Sequence, residues 1–238
     1  MIFIIFLKSL LSVYVSILLF RTNKLIDIIM IIIFCCFDIL IYICGVISQS
    51  KMTKEDKIFE AALSLFTTKG FHGTPTSEIA KTAGVANGTL FHYFKTKEVL
   101  VNSLYLKVKN EMVEESTIGV EKIESLKLKL EYLWSKTIHW AMTNPQKIFF
   151  IQQYMYSPYI TSNTQEEVDK IKEAYINLIQ AGIDSGEIKE IPLDLIYNIA
   201  TQQLFGMIQY LVANPEKYHD SNFMNTAFNL FYDILKKK

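Results

Sequence analysis

The stretch IFEAALSLFTTKGFHGTPTSEIAKTAGVANGTLFHYFKTKEVL, residues 58–100, decides the fold. Ile58, Ala61, Ala62, Leu65 and Phe66 recur at i, i+3, i+4, i+7 and i+8, one face of an amphipathic helix. Gly70 closes that helix, because a left-handed glycine commonly follows a helix C-terminus. Thr74 and Pro75 read as an N-cap and a proline at the first helical position. They open a short helix over 75–83, with Ile79 and Ala80 inward. Gly84, Val85 and Ala86 form a turn, and a second short helix over 87–94 turns Leu90 and Phe94 inward. Two short helices joined by a tight glycine-containing turn are the helix-turn-helix pattern, whose second helix can enter a major groove.

The charge outside this stretch is unevenly spread. The 238 residues carry 24 basic and 24 acidic side chains, a formal net charge of zero. Residues 51–110 hold nine Lys against five acids, a net +4, whereas residues 111–238 hold twelve Lys against seventeen acids, a net −5. The zero is a cancellation, so it does not exclude a nucleic-acid partner. All three cysteines (Cys35, Cys36, Cys44) precede residue 52, and the four His (72, 92, 139, 219) lack ligand spacing. Neither thiol catalysis nor a metal site is expected in the body. No nucleophile elbow, P-loop or dinucleotide fingerprint occurs, so neither enzyme activity nor a cofactor is expected.

The matching features are the Ala61-Ala62 and Leu65-Phe66 face, Ile79-Ala80, Ala83-Gly84-Val85, the run from Gly88 to Phe94, and Lys95-Thr96-Lys97-Glu98. In that order they resemble the DNA-binding domain of the TetR family of transcriptional regulators. The resemblance implies an all-α fold. A three-helix DNA-binding domain would span 52–97, and a helical effector-binding and dimerisation domain 98–238. It places Asn87, Gly88, Thr89 and His92 on a recognition helix facing bases or backbone, and Tyr93 and Lys97 on phosphates. Thr74 and Thr76, at the start of the preceding helix, are further phosphate candidates. Pro75 departs from a position where the family often has a phosphate-binding Thr, Phe91 replaces a frequent Tyr, and Ala86 replaces a usual Ser. The cap role of that Ser would then pass to Asn87. Gly84 and Gly88 are expected to serve the backbone. The only Arg is Arg21, so guanine readout by bidentate Arg is unavailable downstream. Few phosphate contacts and a shallow salt dependence follow.

Beyond residue 97 the text reads as helices over 97–116, 121–142, 145–156, 165–185, 193–212 and 221–235, with no alternating strand pattern. Gly182 to Ile188 resembles a turn the family uses before its last two helices. Those helices form the family's dimer interface, and here Ile199, Leu204, Gly206, Ile208, Phe223, Ala227, Phe228, Leu230 and Phe231 supply apolar and small surface. A homodimer would match a palindromic operator. The family's middle helices enclose an effector pocket. Trp134, Trp140, Phe149, Phe150, Tyr154, Tyr156 and Phe205 are candidate walls, with His139, Gln153 and Gln202 as polar anchors, suited to a small apolar or aromatic effector. Aromatic residues at helical spacing equally suit a plain core.

The leader remains. Residues 2–20 carry one charge, Lys8, and residues 25–47 carry Asp27 and Asp38; both stretches are long enough to span a bilayer as helices. Two readings stay open. Either residues 1–51 anchor the protein to a membrane with a cytoplasmic body, or they precede a true start at Met52 and the protein is cytoplasmic. The resemblance favours Met52, because the family usually starts within a few residues of its first helix. The expected function is a ligand-responsive repressor released from its operator by a small molecule. The alternatives are a membrane-anchored regulator of the same kind and an interaction protein such as a nucleoid-associated division regulator.

Overall fold

The computed structural model describes residues 52–237; residues 1–51, with both leader readings, and Lys238 lie outside the described residues. The described chain is all-α, as expected. Its ten α-helices are α1 (Lys54–Lys69), α2 (Thr76–Thr82), α3 (Asn87–Tyr93), α4 (Lys97–Thr117), α5 (Leu126–Thr143), α6 (Pro145–Met155), α7 (Ser162–Asp184), α8 (Leu193–Ala213), α9 (Pro215–Tyr218) and α10 (Ser221–Leu235). No helix among the described residues is long and apolar enough to cross a membrane.

The first three helices form where the periodicity puts them. Ile58, Ala62 and Phe66 are fully buried along α1, with Ile79 and Ala80 of α2 and Leu90 of α3 packed in the same core. Phe94, just past α3, sets its ring 5.0 Å from Phe59. Gly70 (φ +73°) and Gly84 (φ +67°) end α1 and α2 in the left-handed region that an L side chain adopts only at a cost. At Gly84 the amide donates to Lys81 O at 3.1 Å, and Val85 N reaches Ala80 O at 3.0 Å. The short turn sets the α2–α3 angle.

Thr96 caps α4, its Oγ1 accepting from Val99 N at 3.1 Å. This long helix leaves the helix-turn-helix and runs through the body, joined to α1 by a Lys107–Asp56 ion pair (3.0 Å) and to α6 by Lys147–Glu111. Phe150 of α6 packs against Phe66 and Phe71, at 6.3 and 5.9 Å between ring centres. One continuous apolar core therefore serves head and body. The turn after α7 is closed as the Gly182-to-Ile188 motif suggested, with Glu187 N and Ile188 N both donating to Gly182 O (3.0 and 2.9 Å) and Gly186 at φ +76°. A Cβ at Gly182 would come within 2.6 Å of Leu126 and Ile188, so this glycine admits the start of α5 against the end of α7.

The helices differ from the sequence reading in three places. α5 begins at Leu126, capped by Ser125, because Gly119 (φ +88°) and a 3-10 turn at Val120–Lys122 break the pattern after α4. α7 begins at Ser162, because Thr161 accepts from Thr164 N. A further short helix, α9, occupies the α8–α10 connection.

Candidate nucleic-acid interface and internal cavity

α3 buries one face and leaves the other free. Leu90 is fully buried, whereas Asn87, Gly88 and His92 are exposed, Thr89 is half-buried and Tyr93 is 41% exposed. The His92 and Tyr93 rings meet edge-on, 5.7 Å between centres. A short helix held from behind, with small and polar groups outward, has the shape of a groove-reading element.

Gly88 is expected to serve the backbone and does not. Its φ is not positive, and a Cβ built there meets nothing within 4 Å. Nothing in the described chain demands glycine at this position.

Two other expectations, for Thr74 and Asn87, need correction. Thr74 does not cap α2 and is fully buried, its hydroxyl donating to Gly70 O at 2.8 Å and Leu65 O at 3.3 Å. It locks the α1–α2 connection and cannot present its hydroxyl to a phosphate. The cap position falls to Pro75, whose carbonyl accepts from Glu78 N and Ile79 N; this leaves half-buried Thr76 as the first residue of α2. Asn87 likewise is not a cap. Ala86 holds that position without a side-chain bond, so the Asn87 amide is free to face outward. Lys97 is half-buried and donates to the Phe71 carbonyl, and burial lowers its pKa below the usual lysine value. Its ammonium braces the α1–α2 connection, with remaining donors for an outside partner.

The body contains a cavity of about 120 Å³ between α4, α5, α7, α8 and α10. Trp134 and Phe205 line it, as expected, together with Leu133, Ile179, Tyr197 and Phe231. The other anticipated wall and anchor residues lie elsewhere. Phe149 is 47% exposed, and Tyr156 is exposed at 78%, where its hydroxyl accepts from exposed Gln202 at 3.3 Å. His139 is exposed, its Nδ1 2.5 Å from the Tyr218 hydroxyl. Tyr154 is buried against Tyr105, 3.8 Å between ring centres, and donates to Asn102 Oδ1 at 2.7 Å. Phe150 belongs to the head–body seam. Trp140 Nε1 and Gln153 Oε1 are buried without a hydrogen-bond partner, and neither residue lines the cavity.

Sequence reasoning missed the polar part of the lining, which comprises Lys109, Thr137, Tyr175, Tyr197 and Thr201. Lys109 is 8% exposed, and burial, with the charge of Lys172 second, lowers its pKa to about 8. Burial raises the Tyr175 and Tyr197 hydroxyls above the usual tyrosine value. A periodic signal for Lys109 did exist. It stands four residues after Tyr105, three before Met112 and seven before Ser116, all buried on one stripe of α4.

Residues 58–104 match the family model of bacterial regulatory proteins of the tetR family. A putative tetR family transcription regulator from Shewanella sp. PV-4 is 37% identical in a solved structure, with a TM-score of 0.75 over 78% of this chain and all of that one. The chain belongs to the TetR family. It is thereby a DNA-binding transcriptional regulator, of a family that is not enzymatic. A second relative is the fatty acid metabolism regulator protein of Bacillus subtilis, 28% identical over 198 residues, which are 80% of this chain and all of that protein. The crystal structure of the transcriptional regulator FadR from Bacillus subtilis in complex with stearoyl-CoA is 26% identical, with a TM-score of 0.61 over 75% of this chain and 97% of that one.

Proposed function

We propose that this regulator is a homodimeric repressor whose operator binding is released by an effector with an apolar chain. The observation that carries the reading is α4. One uninterrupted helix bears Lys97, which braces the α1–α2 connection, and, twelve residues on, Lys109 in the cavity lining. At about 1.5 Å per residue these points are roughly 18 Å apart on a rigid rod. A ligand that moves the cavity end of α4 also moves the reading head, and it disfavours DNA to the extent that it prefers the shifted arrangement.

The division of labour follows. Residues 52–97 read DNA, and residues 98–238 hold the effector and the second protomer. Asn87, Thr89 and His92 face base edges, while Tyr93, Thr76 and the free donors of Lys97 hold phosphates. Gly88 lets the sugar-phosphate backbone approach α3 closely. For the dimer, much of the expected surface is buried within the chain itself, including Ile208, Ala227, Phe228 and Phe231. Leu195, Tyr210, Val212, Leu230 and Ile234 of α8 and α10 are large, apolar and exposed, and they suit a four-helix interface between two copies. The relative with stearoyl-CoA bound supports an acyl chain as the apolar part of the effector.

The test selects binding sites from a random duplex library. Recovered sites should be palindromes, two half-sites about one helical turn apart, and a fatty acyl ligand should displace the protein from them. Recovery of no common site, or sites that hold the protein equally with and without ligand, would remove this reading.

A further inference from the structure

Among the described residues, Lys109 is the one charged group in the cavity lining, and no carboxylate joins it there. It is 8% exposed. Two of the other polar groups of the lining are engaged by the protein itself. Thr137 Oγ1 donates to Leu133 O at 2.8 Å, and the Tyr175 hydroxyl is 3.0 Å from Ser116 Oγ. Lys172 is paired with Asp169 at 2.6 Å and lies 5.3 Å above the Tyr197 ring. It adds positive potential at Lys109 without offering a counter-charge.

A lysine side chain buried in an apolar lining with no counter-charge beside it is costly, and a protein interior normally pairs such a cation or leaves it outside. We infer that Lys109 is the seat for the carboxylate of an amphipathic monoanion whose apolar tail lies along Leu133, Trp134 and Phe205. This rests on the reading of the cavity as the effector site and adds the charge of the effector to it. The cavity of about 120 Å³ has room for on the order of ten water-sized probes, which suits a medium-length chain. With a pKa lowered to about 8, Lys109 still carries its proton at neutral pH. The carboxylate supplies the missing counter-charge, and because Lys109 belongs to α4, that pairing acts directly on the helix that reaches the reading head.

Calorimetric titration at pH 7 with decanoate, decanol and decanoyl-CoA, on the natural protein and on Lys109→Met and Lys109→Gln, tests this. One lost charge-assisted hydrogen bond is worth roughly tenfold or more in affinity. Decanoate should therefore bind the natural protein at least about tenfold more tightly than decanol. Both variants should lose that preference while retaining decanol, which also shows that their cavities are intact. Equal binding of decanoate to the natural protein and the variants would overturn the seat and leave the apolar cavity standing. Preference for decanoyl-CoA unaltered by either substitution would do the same. Binding of none of the three ligands to the natural protein would overturn the effector reading and the seat with it.

Discussion

Lys97 and Lys109 lie on one helix and meet opposite surroundings. Lys97 is half-buried at the head, engaged by the Phe71 carbonyl and still open to solvent. Lys109 is buried in the body against the cavity, with no carboxylate in the lining among the described residues. The same contrast holds for the regions around them. At the head, the polar groups of α3 face outward from a packed core of Leu90, Phe94 and Phe59. In the body, the Thr137 and Tyr175 hydroxyls are engaged by the protein, and Lys109 is the one charged group in the cavity lining among the described residues. The head is a surface prepared for a large anion that arrives from outside, and the cavity is an apolar space with one uncompensated charge. The proposed response to a small molecule needs both, joined by something stiff, and α4 joins them.

The largest expected effect breaks the head side of this comparison. Replacing Tyr93 and Lys97 together with Ala should weaken binding to a selected operator roughly 100-fold or more, since hydrogen bonds to charged groups contribute about 1.5–3 kcal/mol each. The dimer should be unaffected, which sedimentation of the same samples checks. Unchanged DNA affinity would take both residues out of the interface. Next, Leu90→Ala, which cuts the support behind α3, should cost about 2–5 kcal/mol in denaturant unfolding. A cost within 1 kcal/mol would mean that the back of α3 is not the packed anchor described here.

The body side is tested by pH. Lys109 has its pKa lowered to about 8 in the folded chain and has the ordinary value of 10.5 when unfolded. Below pH 8 both states hold the proton and the group adds no slope. Between pH 8 and 10 the folded state releases it first, so stability rises with pH, by up to about 3 kcal/mol at 1.36 kcal/mol per unit. Above pH 10 the buried tyrosines, Tyr105, Tyr175 and Tyr197, reverse the trend, because their pKa values are raised and the unfolded chain ionises first. Lys109→Met should flatten the rise between pH 8 and 10 at constant protein concentration. A rise that persists in the variant would assign it to another group.

The smallest effect sharpens the contrast within α3. Gly88→Ala should leave stability unchanged or raise it by up to about 1 kcal/mol, because nothing within 4 Å opposes a Cβ there. It should nevertheless weaken operator binding several-fold if the DNA backbone comes close at this residue. Weaker folding with unaltered DNA affinity would return Gly88 to a structural role.

What the amino-acid text made legible follows the same division. In the head, the spacing of Ile58, Ala62 and Phe66, the glycines at 70 and 84, and Leu90 with Phe94 were enough to place three helices, because short-range periodicity and turn chemistry decide such a unit. The reading failed at Thr74, where an N-cap signal and a buried hydroxyl lock look identical until the path of α1 is known. In the body, periodicity found the helices but not the depth of each face. Trp134 and Phe205 reach the cavity, whereas Phe149 and Tyr156 face solvent and Tyr154 packs on Tyr105. Aromatic residues at helical spacing look the same in all three settings. Lys109 was passed over because a lysine inside Val108-Lys109-Asn110 reads as surface, although its stripe with Tyr105, Met112 and Ser116 is buried.

The central claim is that occupancy of the cavity is communicated to the reading head. Its most direct test is the affinity of the protein for a selected palindromic operator, measured by fluorescence anisotropy with and without saturating decanoate. The account predicts a loss of at least about tenfold, a coupling of about 1.4 kcal/mol, within the usual range for such linkage. An operator affinity that stays the same while decanoate is demonstrably bound would contradict it.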